Sequence, residues 1–404
     1  MFASTHTPAR SLTVTVQSSF SFRDLHAPHK VTYRHQSGII SYVILRAPSK
    51  DVMAIVDPEK ALPILLNLHG AGLEANDHQV RHMLDPLPDL RAFVLFPTGV
   101  TPWSGDDWHD WGFADVKAAI ASIPDWIAQV EWQGPREDPD RWLVSGHSNG
   151  GQGTLYALTH YPDRIIGAAA VSGYLSIQKY VPYHSWIEAD SRISQNIESA
   201  LQSFRHELLV DNFGNVPILL QHGSNDDNVP TFHSRRLHQL ISQSRQNQSS
   251  YYVEQTGKGH WYDGVMTTPP LKTFYDHCLG SEAGTCEPPR QYQIVVANPA
   301  DTESCGGLQV DQLLVPDQLG KINVKCDAGS NTVYLETSNV RRFHFTVGRS
   351  LIKAPFGLVV DGHRLPEVRQ LDTCPESRES NLWLLFEDCT WKVSNFLPHS
   401  SAFR

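Results

Sequence analysis

The chain has 404 residues, a length that suggests two domains. Apolar residues make up 40% and charged residues 19%, enough for a buried core and outside the composition of disordered chains. The formal net charge is −10 and no block of Lys or Arg stands ready to follow a phosphate backbone, which argues against nucleic acid as a partner.

Residues 1–34 read as an N-terminal extended segment, in which Leu12 to Val16 alternates apolar and polar positions. Ile39 to Leu45 is rich in β-branched and aromatic residues, and the first 60 residues as a whole read as extended. Between Met1 and Lys30 there is no apolar h-region of a secretory leader, so the expected location is cytoplasmic, with secretion expected if the chain is a mature or truncated form. The longest apolar stretch, Ile165 to Val171, is far too short to span a bilayer.

Short apolar runs then alternate with helical patterns. The runs are Ile64–Leu68, Ala92–Phe96, Trp142–Ser145, Ile165–Ser172, Ile218–Gln221 and Tyr251–Glu254. The helical patterns are Asp115 to Val130, with Asp115 suited to the first turn, Gly151 to Tyr161, stopped by Pro162, and Val229 to Gln243. This alternation predicts a mostly parallel sheet with helices on both faces, whose ligands meet the carboxyl ends of the strands. Residues 174–215 are long for a strand connection and predict a helical cap. From residue 287 β-type runs dominate: Tyr292–Val296, Ile322–Lys325, Val333–Glu336, Arg342–Val347 and Leu358–Val360. The expected organisation is therefore an α/β catalytic domain over residues 35–286 and a small β-rich domain over residues 287–404. The six cysteines all lie from Cys278 onward and form no C-x-x-C pair, so they are read as free thiols or as disulfides of a secreted tail, not as a zinc site. Asn247-Gln248-Ser249 fits a glycosylation sequon.

Gly146-His147-Ser148-Asn149-Gly150 follows an apolar run and opens a helix. A serine displayed on so tight a strand-to-helix turn leaves no room for side chains two residues away, which is why both flanks are glycine. The helix then directs its N-terminal dipole and N–H groups at the reacting centre. Ser148 is the candidate nucleophile. The expected oxyanion donors are the backbone N–H groups of Asn149 and of Ala71, in the glycine-rich loop after the Ile64–Leu68 run.

In this arrangement the acid follows the serine in the chain and the histidine comes last. Pro217 to Pro230 is an apolar strand that runs into a polar loop holding Asp226 and Asp227; adjacent residues cannot both face one imidazole, and Asp226 is preferred. His260, in Gly257-Lys-Gly-His-Trp-Tyr, follows the last strand in a loop flexible enough to reach back over the sheet. His260 would take the Ser148 proton while the aspartate fixes its tautomer. Such chemistry needs no cofactor. His78 and His82 are spaced i, i+4 but lack the intervening glutamate of a metalloprotease helix, so no metal is expected. Aromatics set the candidate pocket: Trp108 and Trp111, with Trp103 and His109, on one loop, Tyr174 with Tyr180, Tyr183 and Trp186 in the insertion, and Trp261 beside the histidine.

His222 to Pro230 together with Gly146 to Gly151 resembles the catalytic domain of the prolyl oligopeptidase group, while His69-Gly-Ala-Gly72 and Gly259-His-Trp261 are similar to polyhydroxybutyrate depolymerase and feruloyl esterase relatives, including fungal hydrolases. The resemblance covers roughly residues 35–280. It implies the α/β-hydrolase fold and the first aspartate of the Asp-Asp pair as the acid. It departs from true oligopeptidases in leaving no room before the hydrolase for a β-propeller, which favours an esterase. The expectation is a serine hydrolase acting on a small-molecule ester or acyl substrate through an acyl-Ser148 intermediate. A peptidase, an acyl-transfer or cyclising enzyme, and a non-catalytic binding protein on the same scaffold are the alternatives. No pattern sets an oligomeric state.

Overall fold

The structure is a computed structural model that describes residues 24–101, 104–181, 190–244, 250–280, 289–346, 355–368 and 381–394. Leu12–Val16, Trp103, Tyr183, Trp186, the sequon at Asn247, Cys286 and Cys374 fall outside the described residues.

Strands β1 (His29–Arg34) and β2 (Ile40–Arg46) form an antiparallel hairpin. A short helix, α1 (Lys50–Ile55), follows where extended chain was expected; the Ser49 hydroxyl accepts from the Val52 N–H and so nucleates its first turn. Then come β3 (Leu62–Leu68), α2 (His78–Arg81) and β4 (Phe93–Pro97). The single helix expected from Asp115 to Val130 is three pieces displaced toward the N-terminus: α3 (Ser104–Asp107), α4 (Asp110–Ala121) and α5 (Ile123–Gln129). Pro124, which has no N–H to continue the ladder, sits at the start of α5 and forces the break. Asp115 is not in a first turn. It lies inside α4, fully buried, and accepts from the Gly99 N–H.

The chain continues through β5 (Glu137–His147), α6 (Asn149–His160), β6 (Ile165–Val171), α7 (Ile177–Tyr180), α8 (Ser191–Ala200), β7 (Ile218–Gly223), α9 (Phe232–Gln243), β8 (Ser250–Gln255) and α10 (Pro269–Cys278). The eight strands lie in the order β1-β2-β4-β3-β5-β6-β7-β8; β4 through β8 run parallel, and the hairpin adds an antiparallel edge. Burial explains the composition of the strands. All seven residues of β3 and of β6 are buried. Ile64, Leu66 and Leu68 enter the core on one face while Leu65 enters the core on the other, as the two-residue period of a strand dictates. Each such side chain contributes about 1.5–3 kcal/mol when fully withdrawn from water. Helix α6 is buried along its whole length, so it is packed on every side.

The segment after β6 holds α7, α8 and short turns; α8 has no buried residue. Beyond α10 the chain is β structure. Strands β9 (Gln291–Val296), β10 (Leu308–Leu313), β11 (Gly320–Asp327), β12 (Thr332–Ser338), β13 (Val340–Thr346), β14 (Gly357–Val360), β15 (His363–Arg364), β16 (Asn381–Glu387) and β17 (Thr390–Ser394) form a four-stranded sheet, β10-β13-β16-β17, and a five-stranded sheet, β15-β14-β12-β11-β9. Both sheets feed one core, with Ile322, Val324 and Leu335 from one and Val310, Phe343 and Leu384 from the other. Cys305, Cys326 and Cys389 are free thiols, and Cys278 is buried. No helix among the described residues is long and apolar enough to cross a membrane.

The β region is docked against the C-terminal end of α6 and the chain just after it. The Asp163 carboxylate accepts from the Ser304 hydroxyl and from the N–H groups of Gly306 and Gly307, at 2.6–2.9 Å. The Asn212 amide bridges Thr159 O and Val295 O and accepts from the Val295 N–H. The Glu303 N–H donates to His160 O.

Candidate active site

The turn between β5 and α6 shows why its residues are what they are. Ser148 has φ +59° and ψ −117°, a backbone region that side-chain-bearing residues seldom occupy and that functional sites hold by surrounding packing. A Cβ on Gly146 would lie 2.2 Å from Gly150 O, and one on Gly150 would lie 1.9 Å from Leu68 O. Neither position admits any other residue. The Ser148 N–H donates to Val171 O at 2.8 Å, which ties the elbow to β6.

His260 and Asp226 reach this serine from two separate loops. His260 Nδ1 is 2.8 Å from Asp226 Oδ2 and His260 Nε2 is 2.9 Å from Ser148 Oγ. A carboxylate only accepts, so Nδ1 carries the hydrogen and Nε2 is left to accept from the Ser148 hydroxyl. The two loops are pressed together: a Cβ on Gly223 would lie 2.3 Å from Gly259 O, and the Asn225 N–H donates to Lys258 O. Asp227, the alternative acid, is exposed.

The Asp226 side chain has no solvent exposure. Its Oδ1 accepts from the N–H groups of Asn228 and Val229, and its Oδ2 faces His260 Nδ1 and, at 3.2 Å, His222 Nε2. Burial alone would raise the carboxyl pKa; hydrogen bonds from His222 and His260 and the charge of His260 outweigh it and hold the group well below the carboxylate range. His147, inside the pentapeptide, points Nε2 at His260 O at 2.7 Å and so pins the backbone of the imidazole loop. Burial first, then the neighbouring His260 charge, pushes His147 down to about 4.

Around the serine, the expected oxyanion residues take different settings. Asn149 is buried and is the first residue of α6, where an amide has no carbonyl four residues earlier within the helix. Ala71 is exposed, on the loop after β3; that loop lies against Ser148, since a Cβ on Gly70 would be 3.5 Å from Ser148 Cβ.

The aromatic residues divide. Trp108 was expected to line a pocket, but it is fully buried: its ring packs under Gly153 of α6, and its indole N–H donates to His69 O at 3.1 Å. It thereby braces the loop that begins at His69. Trp111 is 42% exposed and its ring meets His35, so none of its described contacts reaches the serine. Tyr174 is buried, stacks on Tyr180 at 4.6 Å and accepts through its hydroxyl from the Asn149 amide at 3.1 Å. Trp261 is 42% exposed and meets the His147 ring edge-on at 5.3 Å. Tyr174 and Trp261 thus contact the two chain neighbours of Ser148, Asn149 and His147 respectively. Sequence reasoning missed three polar neighbours. Asp107, with φ +60°, accepts from the Asn149 amide at 2.6 Å. His147 and His222 were given no role; a buried ionisable residue closing an apolar strand is the signal that marks both.

Residues 94–281 match the model of the prolyl oligopeptidase family. A protein of Arthroderma benhamiae described as an uncharacterized secreted protein is 41% identical over 353 residues, which is 87% of this chain and 38% of that protein. A bifunctional acetylxylan esterase/xylanase of Neocallimastix patriciarum is 29% identical over 156 residues, 36% of this chain and 22% of the relative. The chain therefore spans well under half the length of these two curated relatives. A puromycin-hydrolyzing peptidase of Mycobacterium tuberculosis superposes with a TM-score of 0.48 at 20% identity over 63% of this chain and 40% of its own. The cytoplasmic expectation is overturned by the secreted relative. That relative is far longer than this chain, which covers 38% of it. Residues 94–281 thus resemble the prolyl oligopeptidase family and lie within an α/β-hydrolase fold.

Proposed function

We propose that the chain is a carboxylic-ester hydrolase that works outside the cell through an acyl-Ser148 intermediate. The observation that carries this reading is the unbroken chain from Asp226 Oδ2 through the His260 imidazole to Ser148 Oγ, 2.8 and 2.9 Å long. Ser148 Oγ attacks the acyl carbonyl as His260 Nε2 takes its proton, and Asp226 stabilises the imidazolium that results. The N–H groups of Asn149 and Ala71 receive the oxyanion, each donor being worth roughly 2.7–4 kcal/mol in the transition state. His260 returns the proton to the departing alcohol. Water, deprotonated by the same nitrogen, then attacks the acyl carbon and frees the acid. Tyr174 and Trp261 offer aromatic walls on either side for the acyl or alcohol part.

The ester reading is favoured by the His69–Gly72 loop and by the relative named as an acetylxylan esterase. The family match over residues 94–281 favours the second reading, a peptidase with the same three side chains. The test compares p-nitrophenyl acetate and butyrate with alanyl- and prolyl-p-nitroanilides, alongside Ser148→Ala. Ester turnover that disappears in the variant, with anilide turnover absent or slight, supports the proposal. Efficient anilide cleavage replaces it with the peptidase reading, and activity surviving in Ser148→Ala removes the nucleophile.

A further inference from the structure

His222 is the next-to-last residue of β7 and has no solvent exposure. Its Nε2 is 2.8 Å from Val229 O and 3.2 Å from Asp226 Oδ2; its Nδ1 is 2.8 Å from the Ser234 hydroxyl on α9. Val229 O can only accept, so Nε2 carries a hydrogen, and that hydrogen is shared with Asp226 Oδ2. The Asp226 carboxylate therefore meets four donors, the N–H groups of Asn228 and Val229 on one oxygen and two imidazoles on the other, without recourse to water. Val229 both donates to Asp226 and receives from His222, so one ring closes the turn that carries the acid.

We infer that His222 is a positioning residue for catalysis, a second imidazole that shares the negative charge of Asp226 with His260 and fixes the oxygen on which His260 turns. The inference rests on the assignment of Ser148, His260 and Asp226 made above. A donor on Asp226 Oδ2 competes with His260 for the carboxylate. Removing it concentrates charge on His260, raises the affinity of that imidazole for a proton and loosens its aim at Ser148. The other titratable groups facing His222 are His147 at the end of β5, His233 on α9 and Glu254 on β8. None of them is a hydrogen-bond partner of its ring nitrogens among the described contacts.

The experiment measures kcat, KM and the pH profile of kcat/KM with p-nitrophenyl acetate for wild type, His222→Leu and His222→Gln, with melting curves for each. His222→Leu is expected to lose about 10–100-fold in kcat with KM within about threefold, the scale of a hydrogen bond to a buried charge. Its acidic limb is expected to move upward by about half a pH unit. His222→Gln, which restores an N–H donor but cannot titrate, is expected to recover most of kcat and the wild-type limb. A purely structural histidine would lower the melting temperature of both variants and leave the limb in place. An unmoved limb in His222→Leu, or a Gln variant no better than Leu, overturns the inference. Should the Leu variant fail to fold, Ser234→Ala, which frees the other nitrogen of the ring, takes its place: an upward shift of the limb supports the role, and an unmoved limb overturns it. Fluorophosphonate labelling of Ser148 separates the two levels. A wild-type chain that neither labels nor turns over sinks the hydrolase assignment, whereas a labelled, active chain with an unmoved limb in the variants sinks only the role of His222.

Discussion

The α/β region and the β region solve burial differently, and the chemistry follows the solution. In the sheet around β3, β5 and β6 both faces are covered, so β3, β6 and the second half of β5 are buried, and reactive polar groups gather at the carboxyl ends. There the loops carrying Ser148, Asp226 and His260 meet. In the β region each sheet has one dry face. β11 alternates buried and exposed residues over its first six positions, and a single core takes the dry side. Doubly covered sheets concentrate polar side chains at their edges, where they can be desolvated and aimed. A sandwich spreads them over its outer faces.

This contrast can be broken at several points. The largest effect is expected from Ser148→Ala, a loss of roughly 10⁴–10⁶-fold in kcat with an unchanged melting temperature; a modest loss would mean that the chemistry lies elsewhere. Asp226→Asn should cost on the order of 10³–10⁴-fold, because the amide presents the wrong partner to His260 Nδ1–H, while Asp227→Asn should stay within about tenfold. Equal losses would dissolve the distinction between the buried and the exposed aspartate.

Gly150→Ala probes the backbone. With a Cβ 1.9 Å from Leu68 O it should destabilise the α/β region by at least about 3 kcal/mol, read as a lower denaturant midpoint, whereas Gly362→Ala in the β region, where the only obstacle is a φ of +79°, should cost about 1–2 kcal/mol.

Acid should separate the regions. Burial holds His147 and His160 near 4 and His109 near 3, all three in the α/β region. Between those values and about 6.5 the unfolded chain binds protons that the folded chain refuses. The contribution of these groups is thus complete above pH 6.5 and is lost as the pH falls toward 4. The melting temperature should drop by roughly 5–10 °C over that range, and hydrogen exchange should quicken in α6 before β11 and β13. Earlier opening of the β strands would contradict the assignment. The smallest effect on turnover is expected at the junction. Asp163→Ala removes the acceptor of Ser304, Gly306 and Gly307 and should cost about 1–3 kcal/mol, speed exchange near β10 and leave ester turnover nearly unchanged. A large activity loss would show that docking of the β region sets the geometry of α6.

Much of this architecture was legible in the residues themselves. Gly146-His-Ser-Asn-Gly150 demands its tight turn because only hydrogen fits at either flank. The apolar runs from Ile64 to Glu254 dictate a covered parallel sheet, and the shift to alternating β runs after residue 287 marks the change of texture. These are local constraints of sterics and period, and a chain carries them wherever it goes. Tertiary structure alone decided that Trp108 is buried against the His69 loop instead of lining a pocket, that Asp115 turns inward to Gly99, and that His147 and His222 brace the loops of His260 and Asp226. Each of those outcomes depends on which polar group needs a partner once water is gone. Hydrogen bonds between residues from 4 to 113 positions apart leave no periodic trace in a sequence.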